Sequence, residues 1–297
     1  MKSSLRTFND VLVETLVAEA ERDKSIVVVH TGIAVDPSLK LFQSRFPDRI
    51  FDIGMAEQHA ITFSARLSCG GMKPFCIIPS TFLQRGYDQV IFFSCLQWLP
   101  PHTGLALSKP IKIASAACTH MIIKNCTTTG FFKVIEDVDL QKVPVRFAIS
   151  NAGLVGSEGP TQSGIIDITF MACLPNIIVM APSDEDELID MVATAVRIND
   201  RPISFQYPRI ALLGNGSSLH NGIPIEIGKG EILVEGKHMA LLGYGVMVQN
   251  CLKVRSLLAS LGIEDHEFLM TVEEGTVAAL VLMFLNSWLL MACLMEE

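Results

Sequence analysis

The sequence predicts an α/β protein whose mostly parallel sheet is flanked by helices. Short β-branched runs recur along the chain, and amphipathic helical stretches separate them, which is the signature of strand–helix–strand units. The composition agrees. Of 297 residues, 49% are apolar and 18% charged, against ~25% charged in an average soluble domain. Such a chain can bury a real core and is not wholesale disordered. Its length suggests about two domains. A net charge of −8 with 23 Lys and Arg leaves no basic face for a nucleic acid. Eight cysteines without a CxxC pair are too sparse for a disulfide scaffold and read as reduced thiols.

Leu5, Phe8, Leu12 and Leu16 share one face of an opening helix, with Asp10, Glu14 and Glu21 among its polar positions. Acids argue against a transit peptide and the broken apolar run against a secretory signal, so the chain is expected to begin inside a domain. Strands follow at 26–30 and 50–53, then a helix over 56–68 stopped by Gly70-Gly71. A strand at 74–78 leads to Ser80-Thr81, which can cap a helix running to Val90. Further strands are expected at 145–149, 177–180 and 203–207. A loop with Gly153, Gly156, Gly159 and Gly164 follows the first of these. Between the other two, Ser183 is expected to cap a helix through Ile198, with Asp186 completing a capping box.

Residues 213–224, rich in Gly, Ser and Asn, read as a linker. Beyond it come strands at 231–235 and 238–242 and a helix to about Ser260. Gly243 and Gly245 at the helix start lack the rest of a dinucleotide fingerprint and read as a tight strand-to-helix turn. Two segments look foreign. Residues 89–135 hold no acid, and 275–295 hold no charge at all. The second is long enough to span a bilayer at about 20 residues, but Asn286-Ser287 splits it and basic flanks are missing. A buried or unstructured tail is favoured over a membrane anchor.

The run Phe51-Asp52-Ile53-Gly54-Met55-Ala56-Glu57-Gln58-His59-Ala60 resembles the pyrimidine-binding domain of the transketolase superfamily, and within it the 1-deoxy-D-xylulose-5-phosphate synthases, plant forms above all. The resemblance continues through Ser80-Thr81-Phe82-Leu83-Gln84-Arg85, Tyr87-Asp88-Gln89 and Asp137-Val138-Asp139-Leu140-Gln141-Lys142. It resumes at Ala152-Gly153-Leu154-Val155-Gly156, Met180-Ala181-Pro182-Ser183-Asp184-Glu185 and Tyr207-Pro208-Arg209. Thr271-Val272-Glu273-Glu274-Gly275 matches the family's third domain. The resemblance therefore implies a pyrimidine-binding domain over 1–212, a linker over 213–224, a partial transketolase C-terminal-type α/β domain over 225–275, and an aberrant apolar tail over 276–297. The family's first domain, which holds the cofactor's diphosphate and Mg2+, has no match here.

The resemblance implies a thiamine diphosphate enzyme that joins pyruvate to glyceraldehyde 3-phosphate with loss of CO2, located in the plastid. Glu57 is then the catalytic, cofactor-binding carboxylate beside the aminopyrimidine N1′, where it favours the imino tautomer whose nitrogen serves as base near the thiazolium C2. Taken alone, Glu57 reads as a solvated first-turn acid favoured by the helix dipole. Phe82 matches the aromatic that stacks on the pyrimidine, and alone reads equally as a core residue. Arg85 and Arg209 match holders of the substrate phosphate, for which a guanidinium offers two parallel hydrogen bonds. Alone they read as ion-pair partners. His59, two residues past Glu57, faces elsewhere on the helix and reads as a packing histidine.

The chain departs from the family pattern at Pro79, Ser150 and Gln162, where a tyrosine, an acid and a histidine are common. Residues 92–133 interrupt a helix that should be continuous. The thiols and imidazole within them, Cys118, His120 and Cys126, are too irregularly spaced for zinc, so no metal site is expected. These breaks suggest a faulty exon structure. The expected result is a chain with little catalysis of its own, possessing half of a cofactor pocket and able to form a homodimer or to join a full-length synthase. The alternatives are a non-catalytic partner of such a synthase, and a β subunit of a 2-oxo-acid dehydrogenase, against which the wording of residues 81–89 argues.

Overall fold

A computed structural model describes residues 6–32, 37–83, 138–154, 164–210, 212, 220–234, 239–260, 265–270 and 272–274. The described strands are β1 (Ile26–His30), β2 (Ile50–Asp52), β3 (Lys73–Pro79), β4 (Arg146–Ser150), β5 (Ile178–Met180), β6 (Ile203–Gln206), β7 (Glu231–Val234), β8 (Met239–Tyr244), β9 (Asp265–Met270) and β10 (Val272–Glu274). The helices are α1 (Phe8–Arg22), α2 (Leu39–Arg45), α3 (Glu57–Cys69), α4 (Ser80–Leu83), α5 (Asp167–Ala172), α6 (Glu185–Arg197) and α7 (Met247–Ser260).

One sheet runs β10-β5-β6-β4-β3-β1-β2. Its first six strands in chain order are parallel, and β10 closes one edge antiparallel to β5. Parallel strands buried on both faces read as continuous apolar runs, and β1 is buried along its whole length. Its alternate residues serve two cores. Ile26 and Val28 pack with α1, α2 and α6, whereas Val29 packs with residues of α3 and α5 on the other face. The fold class is the one the apolar runs predict. A smaller sheet, β7-β9-β8, carries α7. Strand β8 enters α7 through the predicted tight turn: Gly245 has φ +58°, and a Cβ on Gly243 would stand 2.9 Å from Val248 Cα.

The start of α6 corrects the sequence reading. Asp184, not Ser183, is the N-cap, and its carboxylate accepts from Glu187 N at 2.9 Å. Glu187 reaches back to Ser183 N at 2.6 Å. The cap therefore sits at Asp184, one position later than Ser183, because Asp184 holds the extended backbone a cap requires, and the return bond from Glu187 reaches the residue before the cap. Short helices α2 and α5 and strands β9 and β10 were not anticipated. The remainder of the helix expected to reach Val90, the segment 92–133 with Cys118, His120 and Cys126, Arg85, Gln162 and the tail 276–297 lie outside the described residues. No helix among the described residues is long and apolar enough to cross a membrane.

Candidate active site at the carboxyl edge of the sheet

In a parallel sheet, chain segments leaving the carboxyl ends of strands collect along one edge, the usual place for a ligand crevice. Three of the four predicted site residues are described, and all lie just past such ends. Strand β2 ends at Asp52, turns through Gly54 at φ +64°, and enters α3 with Glu57 as its first residue. Glu57 is 1% exposed, so it is not the solvated first-turn glutamate that helix position alone suggests. A desolvated carboxylate here is positioned to receive a hydrogen-bond donor more strongly than one in water.

Strand β3 passes directly into α4, whose third residue is Phe82. Phe82 is half-buried against the apolar cluster that includes Ala60 and Ile61 of α3. Only β1 lies between β2 and β3. At a strand spacing of about 4.8 Å, the exits that carry Glu57 and Phe82 stand roughly 10 Å apart, the scale of one substituted heteroaromatic ring. Arg209 is exposed on the segment beyond β6, on the same edge and two strand positions from β3. His59 packs its ring against Phe63, with centroids 5.9 Å apart.

Two of the sequence departures are neighbours. Pro79 and Ser150 are register partners at the ends of β3 and β4, so they alter one spot on this edge. Next to them lies a polar cluster that the sequence did not reveal. Ser80 and Asp167 are 0% and 1% exposed. Ser80 Oγ and Asp167 Oδ2 have no hydrogen-bond partner of ordinary geometry, while Asp167 Oδ1 accepts from Ile168 N at 2.8 Å. Burial pushes the Asp167 carboxyl up to about 6, and the neighbouring Ser80 hydroxyl partly offsets this. Gly164, paired with Gly153 through both backbone bonds, lies so close that a Cβ would stand 2.4 Å from Ser80 Oγ. The base of the loop after β4 is thus seated on the residue that starts the Phe82 helix. An acid in an otherwise apolar stretch (Gly164-Ile165-Ile166-Asp167) is the one hint the sequence offers.

The chain matches the family description "Transketolase, pyrimidine binding domain" over residues 6–128 and 103–213. It belongs to that family. Among curated relatives, a Capsicum annuum protein named "Probable 1-deoxy-D-xylulose-5-phosphate synthase, chloroplastic" is 44% identical over 305 residues, covering 93% of this chain and 36% of the relative. A Cannabis sativa protein named "1-deoxy-D-xylulose-5-phosphate synthase 1, chloroplastic" is 43% identical over 302 residues, covering 93% and 35%. The chain therefore spans about a third of the length of these relatives. Among solved structures, a split-gene transketolase described as an inactive β4 tetramer superposes with TM-score 0.63 at 22% identity, covering 89% of this chain and 70% of that one. Transketolase from Campylobacter jejuni gives TM-score 0.63 at 16% identity, covering 91% and 36%. These two likenesses show the transketolase fold. Within it, Glu57 opens the helix after β2 in the pyrimidine-binding domain itself.

Proposed function

We propose that this chain supplies the pyrimidine half of a thiamine diphosphate site in a 1-deoxy-D-xylulose-5-phosphate synthase, which condenses pyruvate with glyceraldehyde 3-phosphate for isoprenoid precursors in the plastid. The observation that carries the reading is the burial of Glu57 at the carboxyl edge of the sheet, the edge on which Phe82 also lies. When bound, thiamine diphosphate supplies a thiazolium carbon that becomes nucleophilic on losing its proton. Glu57 would accept a hydrogen bond from the N1′–H of the imino tautomer and so favour that form, a task suited to a carboxylate removed from water. Phe82 would stack on the ring. Arg85 and Arg209 would hold the phosphate of glyceraldehyde 3-phosphate. The diphosphate and its Mg2+ are assigned to a domain outside this chain, so the isolated chain is expected to bind weakly and turn over little. A chain of related fold is described as inactive in its own tetramer, and the same is proposed here for any homodimer.

Calorimetric titration of the purified chain with thiamine tests this. Binding should weaken about 10- to 100-fold in Glu57→Gln, the worth of a charge-assisted hydrogen bond. Equal affinity in wild type and variant would overturn the assignment. Robust turnover of pyruvate and glyceraldehyde 3-phosphate by the chain alone, with thiamine diphosphate and Mg2+, would overturn the dependence on another domain.

A second reading, a non-catalytic partner of a full-length synthase, is favoured by the adjacency of Pro79 and Ser150. Co-purification with such a synthase, without gain of activity, would support it.

A further inference from the structure

The two turns nearest Glu57 are tied together by groups that the proposed chemistry does not use. His30 and Asp52 are the last residues of β1 and β2 and are register partners. Past each of them the chain turns on a glycine in the left-handed region, Gly32 at φ +63° and Gly54 at φ +64°. The turns touch: a Cβ on Gly32 would lie 2.7 Å from Asp52 Oδ1 and 3.0 Å from Gly54 Cα. Asp52 Oδ1 accepts from Gly54 N at 2.9 Å. Ile53 N donates to His30 O at 2.9 Å. His30 Nδ1 accepts from Gly32 N at 3.3 Å, which places the neutral ring's proton on Nε2. The same Nδ1 stands 3.9 Å from Asp52 Oδ1.

We propose that His30 and Asp52 are positioning residues for Glu57, joining the two turns through one carboxylate oxygen and exchanging partners when the imidazole takes up a proton. Neutral His30 receives the Gly32 N–H. Protonated His30 carries hydrogen on both nitrogens, so Nδ1 must release Gly32 and turn to Asp52 Oδ1, the oxygen that already holds Gly54. The turn from Asp52 to Ala56 leads straight into Glu57, so this exchange is felt where Glu57 enters its helix.

Among the described residues, Asp52 is the charged group that acts on the imidazole. The other register partner of His30 is Ile77 on β3. On α1, Asp10 is engaged by Thr7 and Glu14 by Arg6. Burial lowers the proton affinity of His30, and Asp52 opposes that.

The inference rests on Glu57 being the pyrimidine carboxylate, but its central test needs no ligand. The full chain, labelled with 15N, is titrated from pH 5 to 8 by NMR. The amides of Gly32, Gly54 and Glu57 should shift with the midpoint of the His30 ring. Asp52→Asn should lower that midpoint, and His30→Asn, which keeps an acceptor at the Nδ1 position, should abolish the shared transition. A Glu57 amide that stays constant while His30 titrates overturns the proposal, as does a midpoint unmoved by Asp52→Asn. With thiamine added, affinity should follow the same midpoint in wild type and become flat in His30→Asn. Co-titration of the amides without thiamine binding at any pH would support the coupling of the turns while refuting the cofactor reading.

Discussion

The two ends of the parallel sheet treat buried polar groups in opposite ways. At the amino end, Arg146 opens β4 with 1% of its surface exposed. Its guanidinium donates to Ala195 O at 2.7 Å, Pro144 O at 2.6 Å, Ile198 O at 2.7 Å and Asn199 Oδ1 at 2.8 Å. Burial pushes the guanidinium down to about 10, which still leaves it charged at neutral pH. At the carboxyl end, Ser80 Oγ and Asp167 Oδ2 are equally buried and have no partner of ordinary geometry. Buried polar atoms are normally satisfied, and exceptions cluster where strain or function holds them. The amino end uses its polar groups to join α6 to the sheet, and the carboxyl end leaves Ser80 and Asp167 with little more than each other beside the proposed site.

The largest expected effect comes from breaking the satisfied end. Arg146→Met should destabilise the chain by about 3–5 kcal/mol, since the carbonyls of residues 144, 195 and 198 lose a charged donor in a dry setting. Urea denaturation measures it. A loss below about 1 kcal/mol would show the bonds to be ornamental and dissolve the contrast.

At the other end the sign should reverse. The folded chain raises Asp167 from 3.8 to about 6, so it holds a proton more tightly than the unfolded chain does. That favourable contribution is complete below the unfolded value and is lost as pH rises through about 6. A shift of about two pH units corresponds to about 3 kcal/mol. Asp167→Asn should therefore stabilise the protein by up to about 3 kcal/mol at pH 8, with the gain vanishing towards pH 4. A stability change independent of pH would mean that Asp167 is not the strained group.

Gly164→Ala sharpens the same end. The added Cβ would press on Ser80 Oγ at 2.4 Å and on Asn151 O at 2.7 Å, and overpacking of this kind costs about 1–3 kcal/mol. Part of that cost should disappear in a Ser80→Gly background, because residues in contact do not behave additively. Full additivity in the double-mutant cycle would separate Gly164 from the Phe82 helix.

What could be read from the sequence follows the same division. Strand β1 was legible to its ends because its run is short and β-branched, which favours a buried strand over a helix. Glu57 and Phe82 are singled out by their surrounding motif, and the parallel strand order places both at one edge of the sheet. The burial of Asp167 beside Ser80 was legible only as an acid in an apolar stretch, since the contact joins segments far apart in the chain. Nor was β10, whose partner β5 lies some ninety residues earlier. The Pro79–Ser150 adjacency required the β3–β4 register.

The start of α6 also lies at the carboxyl edge, after β5, and it supplies the smallest and most discriminating effect. Its capping groups are engaged: Asp184 holds Glu187 N, and Glu187 holds Ser183 N. If every carboxyl-edge group were left uncommitted, this helix would be too. Asp184→Ala should cost about 1 kcal/mol, the usual worth of an N-cap. Ser183→Ala should change stability by less than about 0.5 kcal/mol, because the bond at that position belongs to its backbone N–H. Thermal unfolding of the pair separates the two caps. Equal losses would restore Ser183 as the cap, while a loss confined to Asp184 would show that this helix start is held by the Asp184 carboxylate.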